Sequence, residues 1–296
     1  MKTTKITIKN LFGIRETTLD GKSVEISGPK GSGKTSVLDA IRYALTNRSD
    51  RDYIVHQGAD EGEIIIETNT GLSIDRKALP AKSAGTVKVR VRATGICGSD
   101  VPRVLHHGAH FYPVVLGHEF SGDVVEVGEG VTSVQVGDTV SGAPLLPCMK
   151  CDDCQQGNFS LCKHYSFIGS RQQGSFAEYV VMPAQNAIQY DPSIPYEQAA
   201  MFEPSTVALH GLLCNGYQGG GYVAILGCGT IGIFTLQWAK IFGSKKIVAF
   251  DIDEGRLALA KRMGADEAIN TGEEGYMERA KALTGGHGFD YVFEAA

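Results

Sequence analysis

The sequence predicts a mixed α/β chain: a glycine-loop fragment, then a β-rich part, then a parallel sheet with flanking helices. Three observations predict it. A strand, glycine loop and helix lie near the start, cysteines cluster in the middle, and a second strand, glycine turn and helix follow residue 221. The 296 residues, 43% hydrophobic and 21% charged, suit about two globular domains with buried cores.

Charge and terminal sequence narrow the class of protein. The net charge of -5, without a block of like charges, indicates neither nucleic acid nor an anionic membrane as partner. The start MKTTKITIKN lacks the apolar run of a secretory signal, so we expect a cytoplasmic protein. The uncharged run 222–239 is long enough to suggest a membrane helix, but its glycines indicate a strand, a turn and a helix instead.

A phosphate-binding loop is predicted between the strand VEISG and the apolar helix SVLDAIRYAL. Gly28, Gly33, Lys34 and Thr35 satisfy the pattern G-x-x-x-x-G-K-[ST]. Its backbone N–H groups surround a phosphate, the lysine neutralises charge and the threonine hydroxyl holds Mg²⁺. The loop therefore predicts ATP and Mg²⁺ binding, with a chance glycine-rich turn as the alternative.

Four cysteines in the segment PCMKCDDCQQGNFSLC indicate a metal site. They are spaced C-x2-C-x2-C-x7-C and comprise Cys148, Cys151, Cys154 and Cys162. Four thiolates so close in sequence can enclose a structural zinc ion, and an iron–sulfur cluster is the rival interpretation. Clustering in a chain without an export signal favours a metal over disulfides.

The second glycine motif predicts a dinucleotide site. The segment YVAILGCGTIG leads a strand into Gly227, Gly229 and Gly232, with Ile231 beside the turn. Asp251 ends the next strand, where a carboxylate binds the ribose 2′-hydroxyl and disfavours a 2′-phosphate, so NAD is expected. Arg256 follows and keeps NADP open. The remaining cysteines, Cys214 and Cys228, are expected to be buried small residues.

Four stretches carry a family resemblance, namely ATGICGSD at 93–100, LGHEFSGDVVEVGEGV at 116–131, VGDTV at 136–140 and FEPSTVALHG at 202–211. With the cysteine segment they resemble the zinc-dependent medium-chain alcohol dehydrogenases, in particular the polyol branch. The resemblance implies a GroES-like β domain that binds catalytic zinc and a Rossmann domain that binds NAD. It also implies oxidation of a secondary hydroxyl of a polyol or polyol phosphate to a ketone.

The same resemblance implies roles for individual residues. The catalytic zinc falls on Cys97, His118, Glu119 and Glu203, and the four clustered cysteines hold the structural zinc. Ser99 takes the place of the hydroxyl that passes the alcohol proton outward. Where many relatives end that relay in a histidine, this sequence has Pro102.

Two further expectations concern the residues that follow Pro102. The relay could run instead through cofactor hydroxyls, water, or a nearby histidine at 106, 107 or 110. Arg103 could bind a substrate phosphate, since a planar guanidinium suits one, or could be a solvated arginine.

Residues 1–78 carry a second resemblance, to the N-terminal lobe of the structural-maintenance-of-chromosomes and break-repair ATPase heads. It rests on KITIKNLFGI, the phosphate-binding loop and the later stretch VHQGADEGEIIIETNTGLSIDRK. No acidic magnesium-binding strand follows residue 78, so we expect nucleotide binding without hydrolysis.

These resemblances predict a P-loop fragment at 1–78, a junction at 79–85, a GroES-like domain at 86–212 and a partial Rossmann domain at 213–296. The order of elements predicts strands one to four of the dinucleotide-binding sheet but not five and six, so we expect impaired activity and a doubtful homo-oligomer. The alternatives are an ATP-binding head fragment with a zinc module and a composite chain without a function of its own.

Overall fold

The computed structural model describes residues 3–11, 14–20, 40–41, 62–68, 73–78, 84–106, 108–111 and 114–296. The chain divides into two compact units, Met1–Ala200 and Met201–Ala296. The predicted domain limits near 78, 85 and 212 stay predictions. The phosphate-binding loop lies outside the described residues, with its four predicted residues Gly28, Gly33, Lys34 and Thr35.

Four strands in the first part of the chain form an antiparallel sheet in the order β2-β1-β3-β4. They are β1 Thr3–Leu11, β2 Ile14–Asp20, β3 Gly62–Thr68 and β4 Ser73–Ala78. Ile8 and Ile64 are directly paired and fully buried. The strands predicted from KITIKNLFGI and from the stretch before the junction are therefore present.

A five-stranded antiparallel sheet follows in the order β10-β5-β6-β7-β11. Its strands are β5 Thr86–Gly95, β6 Glu119–Val127, β7 Thr139–Gly142, β10 Tyr179–Pro183 and β11 Ala187–Gln189. Val87 and Val89 of β5 are fully buried, as a period of two requires, and pack with Phe120 and Val124 of β6. This sheet places the end of β5 beside the start of β6.

Shorter elements complete the first unit. The strands β8 Leu145–Leu146 and β9 Ser166–Phe167 pair antiparallel. The helices are α1 Asp100–Leu105, α2 Asp152–Gln155 and α3 Tyr196–Ala199, with 3-10 turns at Phe159–Leu161 and Ala184–Asn186.

The second unit has a parallel sheet in the order β14-β13-β12-β15. Its strands are β12 Tyr222–Leu226, β13 Lys246–Asp251, β14 Glu267–Asn270 and β15 Tyr291–Glu294, and its helices are α4 Phe202–Cys214, α5 Thr230–Ile241, α6 Glu254–Met263 and α7 Tyr276–Leu283. In chain order the strands stand 3-2-1-4, the start of a doubly wound dinucleotide-binding sheet. The run 222–239 is thus divided between β12 and α5, and no helix among the described residues is long and apolar enough to cross a membrane.

The limits of α6 follow from its sequence. The side chain of Asp253 accepts a hydrogen bond from the backbone N–H of Arg256, which caps the first turn. Gly264 ends the helix at φ 115°, a left-handed conformation that glycine adopts without strain.

The expectation that Cys214 is buried is wrong. Helix α4 buries one row of residues four apart, Pro204, Ala208 and Leu212. Cys214 lies two positions beyond Leu212, on the opposite side of the helix, and its thiol is exposed beside His210, with Sγ 3.2 Å from Nε2. Cys228 is buried as expected.

Alanine substitutions at two helical glycines of the second unit are expected to change the free energy of unfolding in opposite directions. A Cβ on Gly232 would overlap the carbonyl oxygen of Gly227, whereas nothing lies within 4 Å of a Cβ on Gly211. We expect Gly232→Ala to lower the free energy of unfolding by about 1–3 kcal/mol because the close contact has no room to relax. Gly211→Ala is the control, and we expect it to stabilise by up to about 1 kcal/mol.

The measurement is denaturant unfolding followed by the fluorescence of Trp238, the only tryptophan of the chain, which lies on α5. Equal stability of the two alanine variants would contradict the assigned packing.

Candidate functional site

Cys97, His118 and Glu119 come together at the junction of two adjacent strands. Cys97 follows the end of β5, Glu119 is the first residue of β6, and Gly95 is paired with Glu119 in the sheet. One ligand atom from each of the three residues lies within 4.8 Å of the other two. Gly95 permits this approach, because a Cβ there would overlap the Glu119 carboxylate.

The donor set fits a zinc ion. A thiolate, an imidazole and a carboxylate leave a fourth position open, which is the arrangement of catalytic zinc sites. Burial is the main cause that raises the pKa of both the Cys97 thiol and the Glu119 carboxyl. A divalent cation beside them would favour the ionised forms instead.

Asp100 is a further residue of this site. It is 1% exposed, and its Oδ2 lies 3.7 Å from Nδ1 of His118, while neither atom has a hydrogen-bond partner among the described residues. Metal-binding histidines direct their second ring nitrogen to a carboxylate, which fixes the tautomer and the ring. Asp100 thus faces Nδ1 and leaves Nε2 of His118 for the metal. The sequence reasoning missed Asp100, although it is the last residue of the CGSD segment.

Ser99 and Arg103 extend the site along α1. The Ser99 hydroxyl donates to Sγ of Cys97 at 3.3 Å and accepts from Nη1 of Arg103 at 2.8 Å. The same nitrogen lies 3.3 Å from Oδ1 of Asp100. Ser99 therefore lies beside the predicted zinc cysteine, where the proposed relay needs a hydroxyl.

The loop that runs from Phe167 to Phe176 supports His118 from one side. The ring of Phe167 meets the His118 ring edge-on, with centroids 5.4 Å apart and planes at 71°. Gly169 and Gly174 both pack on the backbone of Gly117, where any Cβ would overlap the carbonyl group. Three glycines thus let the loop approach the residue before His118 closely.

The four clustered cysteines form a second candidate metal site. One sulfur from each lies within 4.8 Å of the others, with Cys148 and Cys154 3.9 Å apart and Cys151 and Cys162 3.9 Å apart. Thiolates at about 2.3 Å from one zinc ion stand about 3.8 Å apart in a tetrahedron. An iron–sulfur cluster binds its cysteines on different iron atoms and needs wider spacing, so the geometry favours zinc over that rival.

The charge state of these thiols also suits a metal. Hydrogen bonds from the backbone N–H groups of Lys150 and Cys151 lower the pKa of Cys148 to about 6. Burial raises the pKa of Cys154 to about 12. Only a bound cation lets all four sulfurs be thiolates together at neutral pH.

The second unit contains a cradle for a dinucleotide. Gly227 takes φ 91° at the end of β12, Gly232 packs on its carbonyl, and Gly229 caps the start of α5. Apart from its two chain neighbours, no described residue has an atom within 4 Å of a Cβ position on Gly229, which leaves space for a close ligand. A helix N-terminus with free N–H groups suits a pyrophosphate.

Asp251 lies at the edge of this cradle. Its Oδ2 accepts from the backbone N–H of Cys228 at 2.7 Å, and its Oδ1 accepts from Ile252 at 2.8 Å and Asp253 at 3.0 Å. Burial opposes ionisation, but these hydrogen bonds and the charge of Arg256 outweigh it and lower the pKa of Asp251. The carboxylate is therefore charged at neutral pH.

Comparisons with known proteins identify the family of most of the chain. Residues 83–192 match the alcohol dehydrogenase GroES-like domain, and residues 230–296 match the zinc-binding dehydrogenase model. The crystal structure of galactitol-1-phosphate dehydrogenase from Escherichia coli superposes with a TM-score of 0.70 at 38% identity, covering 78% of this chain and 68% of that one. The chain belongs to the zinc-binding alcohol dehydrogenase family. This confirms the resemblance and the predicted fold class.

Two other relatives inform the function. Galactitol 1-phosphate 5-dehydrogenase of Escherichia coli strain K12 is 42% identical over 212 residues, which are 71% of this chain and 61% of that protein. This chain thus spans 61% of the length of that relative. A zinc-binding dehydrogenase of Sinorhizobium meliloti 1021 was solved bound to NADP, and it matches with a TM-score of 0.69 at 32% identity over 78% of this chain and 66% of that one.

A third match concerns the first part of the chain. Residues 5–108 match a model described as an AAA domain, which agrees with a P-loop segment. This match overlaps the GroES-like match over 83–108. The position of the predicted junction at 79–85 therefore stays a prediction.

The remaining predicted family residues lie in the second unit. Glu203 is in the first turn of α4, which Trp238 ties to α5 by donating to the Ser205 carbonyl at 3.0 Å. Ile231 is half-buried in the first turn of α5, and Arg256 lies in the first turn of α6 with Nη1 3.9 Å from Oδ2 of Asp251. The assignment of Glu203 to the zinc stays a prediction.

Removal of the Asp251 charge should destabilise the second unit in a pH-dependent way. In Asp251→Asn the Cys228 N–H faces an N–H₂ donor, so we expect a loss of about 2 kcal/mol at neutral pH. The folded pKa is depressed, so this stability is complete above the unfolded pKa of about 4 and is lost as pH falls through the folded pKa. The difference between variant and parent should shrink at acid pH.

The measurement is denaturant unfolding by Trp238 fluorescence across the pH range. Asp253→Asn is the matched control, because asparagine caps a helix about as well as aspartate. A loss in Asp251→Asn that did not change with pH would contradict the depressed pKa.

Proposed function

We propose that residues 86–296 carry the zinc and NAD sites of a dehydrogenase that oxidises a secondary hydroxyl of a polyol or polyol phosphate to a ketone. The observation that carries this proposal is the cluster of Cys97, His118 and Glu119, with the Ser99 hydroxyl beside it. The known substrate of the Escherichia coli relative, galactitol 1-phosphate by its name, gives the substrate class.

Each group has a part in the reaction. A zinc ion held by Cys97, His118, Glu119 and, by family resemblance, Glu203 supplies Lewis acidity that makes the substrate hydroxyl acidic. Ser99 accepts the hydroxyl proton and passes it outward. NAD held at Gly227, Gly229, Gly232 and Asp251 would supply the hydride acceptor for this oxidation. Asp100 holds the His118 ring in one orientation.

The four-cysteine site is proposed to hold a structural zinc, because it closes all four positions around the ion. Gly227, Gly229, Ile231 and Gly232 are proposed to hold the pyrophosphate, and Asp251 the adenosine ribose. The NADP-bound relative shows that a member of the family can bind NADP. The ionised Asp251 favours NAD here, since a 2′-phosphate would meet a negative charge.

A cytoplasmic location is part of the proposal. All seven cysteines are free, and reduced thiols persist in the cytoplasm. The substrate is a small molecule, and no nucleic-acid partner is proposed.

The zinc content of variants tests the two-site assignment. We expect about two zinc ions per chain in the parent and about one in His118→Ala or in Cys154→Ser, because each change removes a ligand from one site. NADH formation from galactitol 1-phosphate, followed by absorbance, should fall to background in His118→Ala. Equal zinc content in all three proteins, or NADH formation that does not need His118, would overturn the proposal.

A second candidate function is nucleotide binding by the P-loop. The AAA-domain match and the G-x-x-x-x-G-K-[ST] pattern of Gly28, Gly33, Lys34 and Thr35 support it. We propose that this segment binds ATP with Mg²⁺ and does not hydrolyse it.

Calorimetric titration with Mg²⁺-ATP tests the second candidate. Lys34→Ala should weaken binding at least about tenfold, because the lysine neutralises the phosphate charge. Lys9→Ala is the control, since Lys9 lies on β1 and its Nζ is 3.5 Å from Oε1 of Glu16. If parent and Lys34→Ala bind ATP alike, the loop does not act as a nucleotide site.

A further inference from the structure

The guanidinium of Arg103 lies within the candidate zinc site. Its Nη1 lies 2.8 Å from the Ser99 hydroxyl and 3.3 Å from Oδ1 of Asp100. Through these two residues it reaches two of the predicted ligands, since Ser99 donates to Cys97 and Asp100 faces His118. The side chain is 26% exposed. One nitrogen atom thus meets both of the groups that contact the ligands.

We propose that Arg103 is a positioning residue that fixes the Ser99 hydroxyl and the Asp100 carboxylate together. The inference rests on the proposed function and deepens it. Asp100 is a buried charge and needs a partner, which the guanidinium supplies at Oδ1 while Oδ2 stays directed at His118.

The number of hydrogen bonds that the Ser99 hydroxyl can form limits the role of Arg103. A serine hydroxyl has one hydrogen and two lone pairs. Here the hydrogen points to Sγ of Cys97 and one lone pair accepts from Arg103. One lone pair is left for the proton of the substrate hydroxyl.

Arginine cannot accept a proton, because it has no acceptor and stays charged at all ordinary pH values. Arg103 therefore orients Ser99 without taking the proton from it. Pro102, at the position of the relay histidine in many relatives, has no acceptor in its side chain either. Neither Arg103 nor Pro102 therefore takes the proton.

This geometry argues against the expectation that Arg103 binds a substrate phosphate. Nη1 of Arg103 is already shared between the Ser99 hydroxyl and the Asp100 carboxylate, so it is not available to a phosphate. A phosphate there would also lie beside the Asp100 carboxylate, which repels it. Arg103 thus contacts the groups beside the reacting hydroxyl rather than the remote end of the substrate.

Cobalt binding tests the proposal without turnover, so an inactive chain does not prevent the test. The four-cysteine site is first filled with Zn²⁺, and Co²⁺ is then titrated into the remaining site and followed by its absorption bands. We expect Arg103→Met to raise the Kd for Co²⁺ about tenfold, the size of effect seen when a partner of a metal ligand is lost. Arg103→Lys should restore affinity only in part, because one ammonium cannot reproduce the planar fork.

A double-mutant cycle separates positioning from general stability. Arg103→Met and Ser99→Ala should each shift the thiolate-to-cobalt band, because each disturbs the hydrogen bond to Cys97. The double variant should shift it no further than Ser99→Ala alone. Additive shifts, or a parent-like Kd in Arg103→Met, would overturn the proposal.

Two controls complete the design. Arg92→Met removes another arginine–aspartate pair of the same unit, in which Nε of Arg92 lies 2.6 Å from Oδ2 of Asp123, and should leave Co²⁺ binding unchanged. If Arg103→Met does not fold, Arg103→Ala is titrated with and without guanidinium ion. Restored Co²⁺ affinity with the ion supports positioning by Arg103, and no restoration rejects it.

Discussion

The buried carboxylate of Asp100 is the constraint on which the candidate zinc site depends. A charge that is 1% exposed must be compensated within the protein. Its two oxygens face two different partners, Arg103 at 3.3 Å and His118 at 3.7 Å. Because α1 begins at Asp100, just after Cys97, the same residue joins the segment of Cys97 to His118, the residue before β6. The two electrostatic contacts of Asp100 therefore help to hold the segment of Cys97 in place beside His118.

The strands that flank the four-cysteine segment also help to hold His118 in place. Strand β8 leads directly into Cys148, and its partner β9 ends in Phe167, whose ring touches His118. The loop after Phe167 then packs on Gly117. A metal in the cysteine site would fix the segment that connects β8 to β9. It would thereby also help to hold Phe167 against His118 in the candidate catalytic site.

The sequence was sufficient for features whose parts are close along the chain. The four cysteines between 148 and 162, the glycines around 229 and the carboxylate of Asp251 all stand at spacings that carry their own physical reason. Cys97 and His118 are 21 positions apart, and only the family resemblance linked them. The strand pairing of Gly95 with Glu119 is what brings them together.

Other features could not be predicted because they depend on contacts between distant segments. Phe167 meets His118 across 49 positions, and no local pattern indicates it. Arg103 was considered for a phosphate because an isolated arginine suits one, and its contacts with Ser99 and Asp100 were not visible in the sequence. Cys214 was expected to be buried, but the burial of a helix face depends on what packs against it.

The contacts of Arg256 and Asp251 bear differently on the choice between NAD and NADP. Arg256 lies 3.9 Å from Asp251 with 61% of its side chain exposed, and an exposed ion pair of this kind contributes at most about 1 kcal/mol. Arg256 could therefore turn toward a 2′-phosphate at little cost, and by itself it discriminates weakly. Asp251 cannot turn, because three backbone N–H groups hold both of its oxygens. A 2′-phosphate would have to lie beside a fixed negative charge, so the proposed preference for NAD rests on the rigidity of Asp251 and not on the absence of a cation.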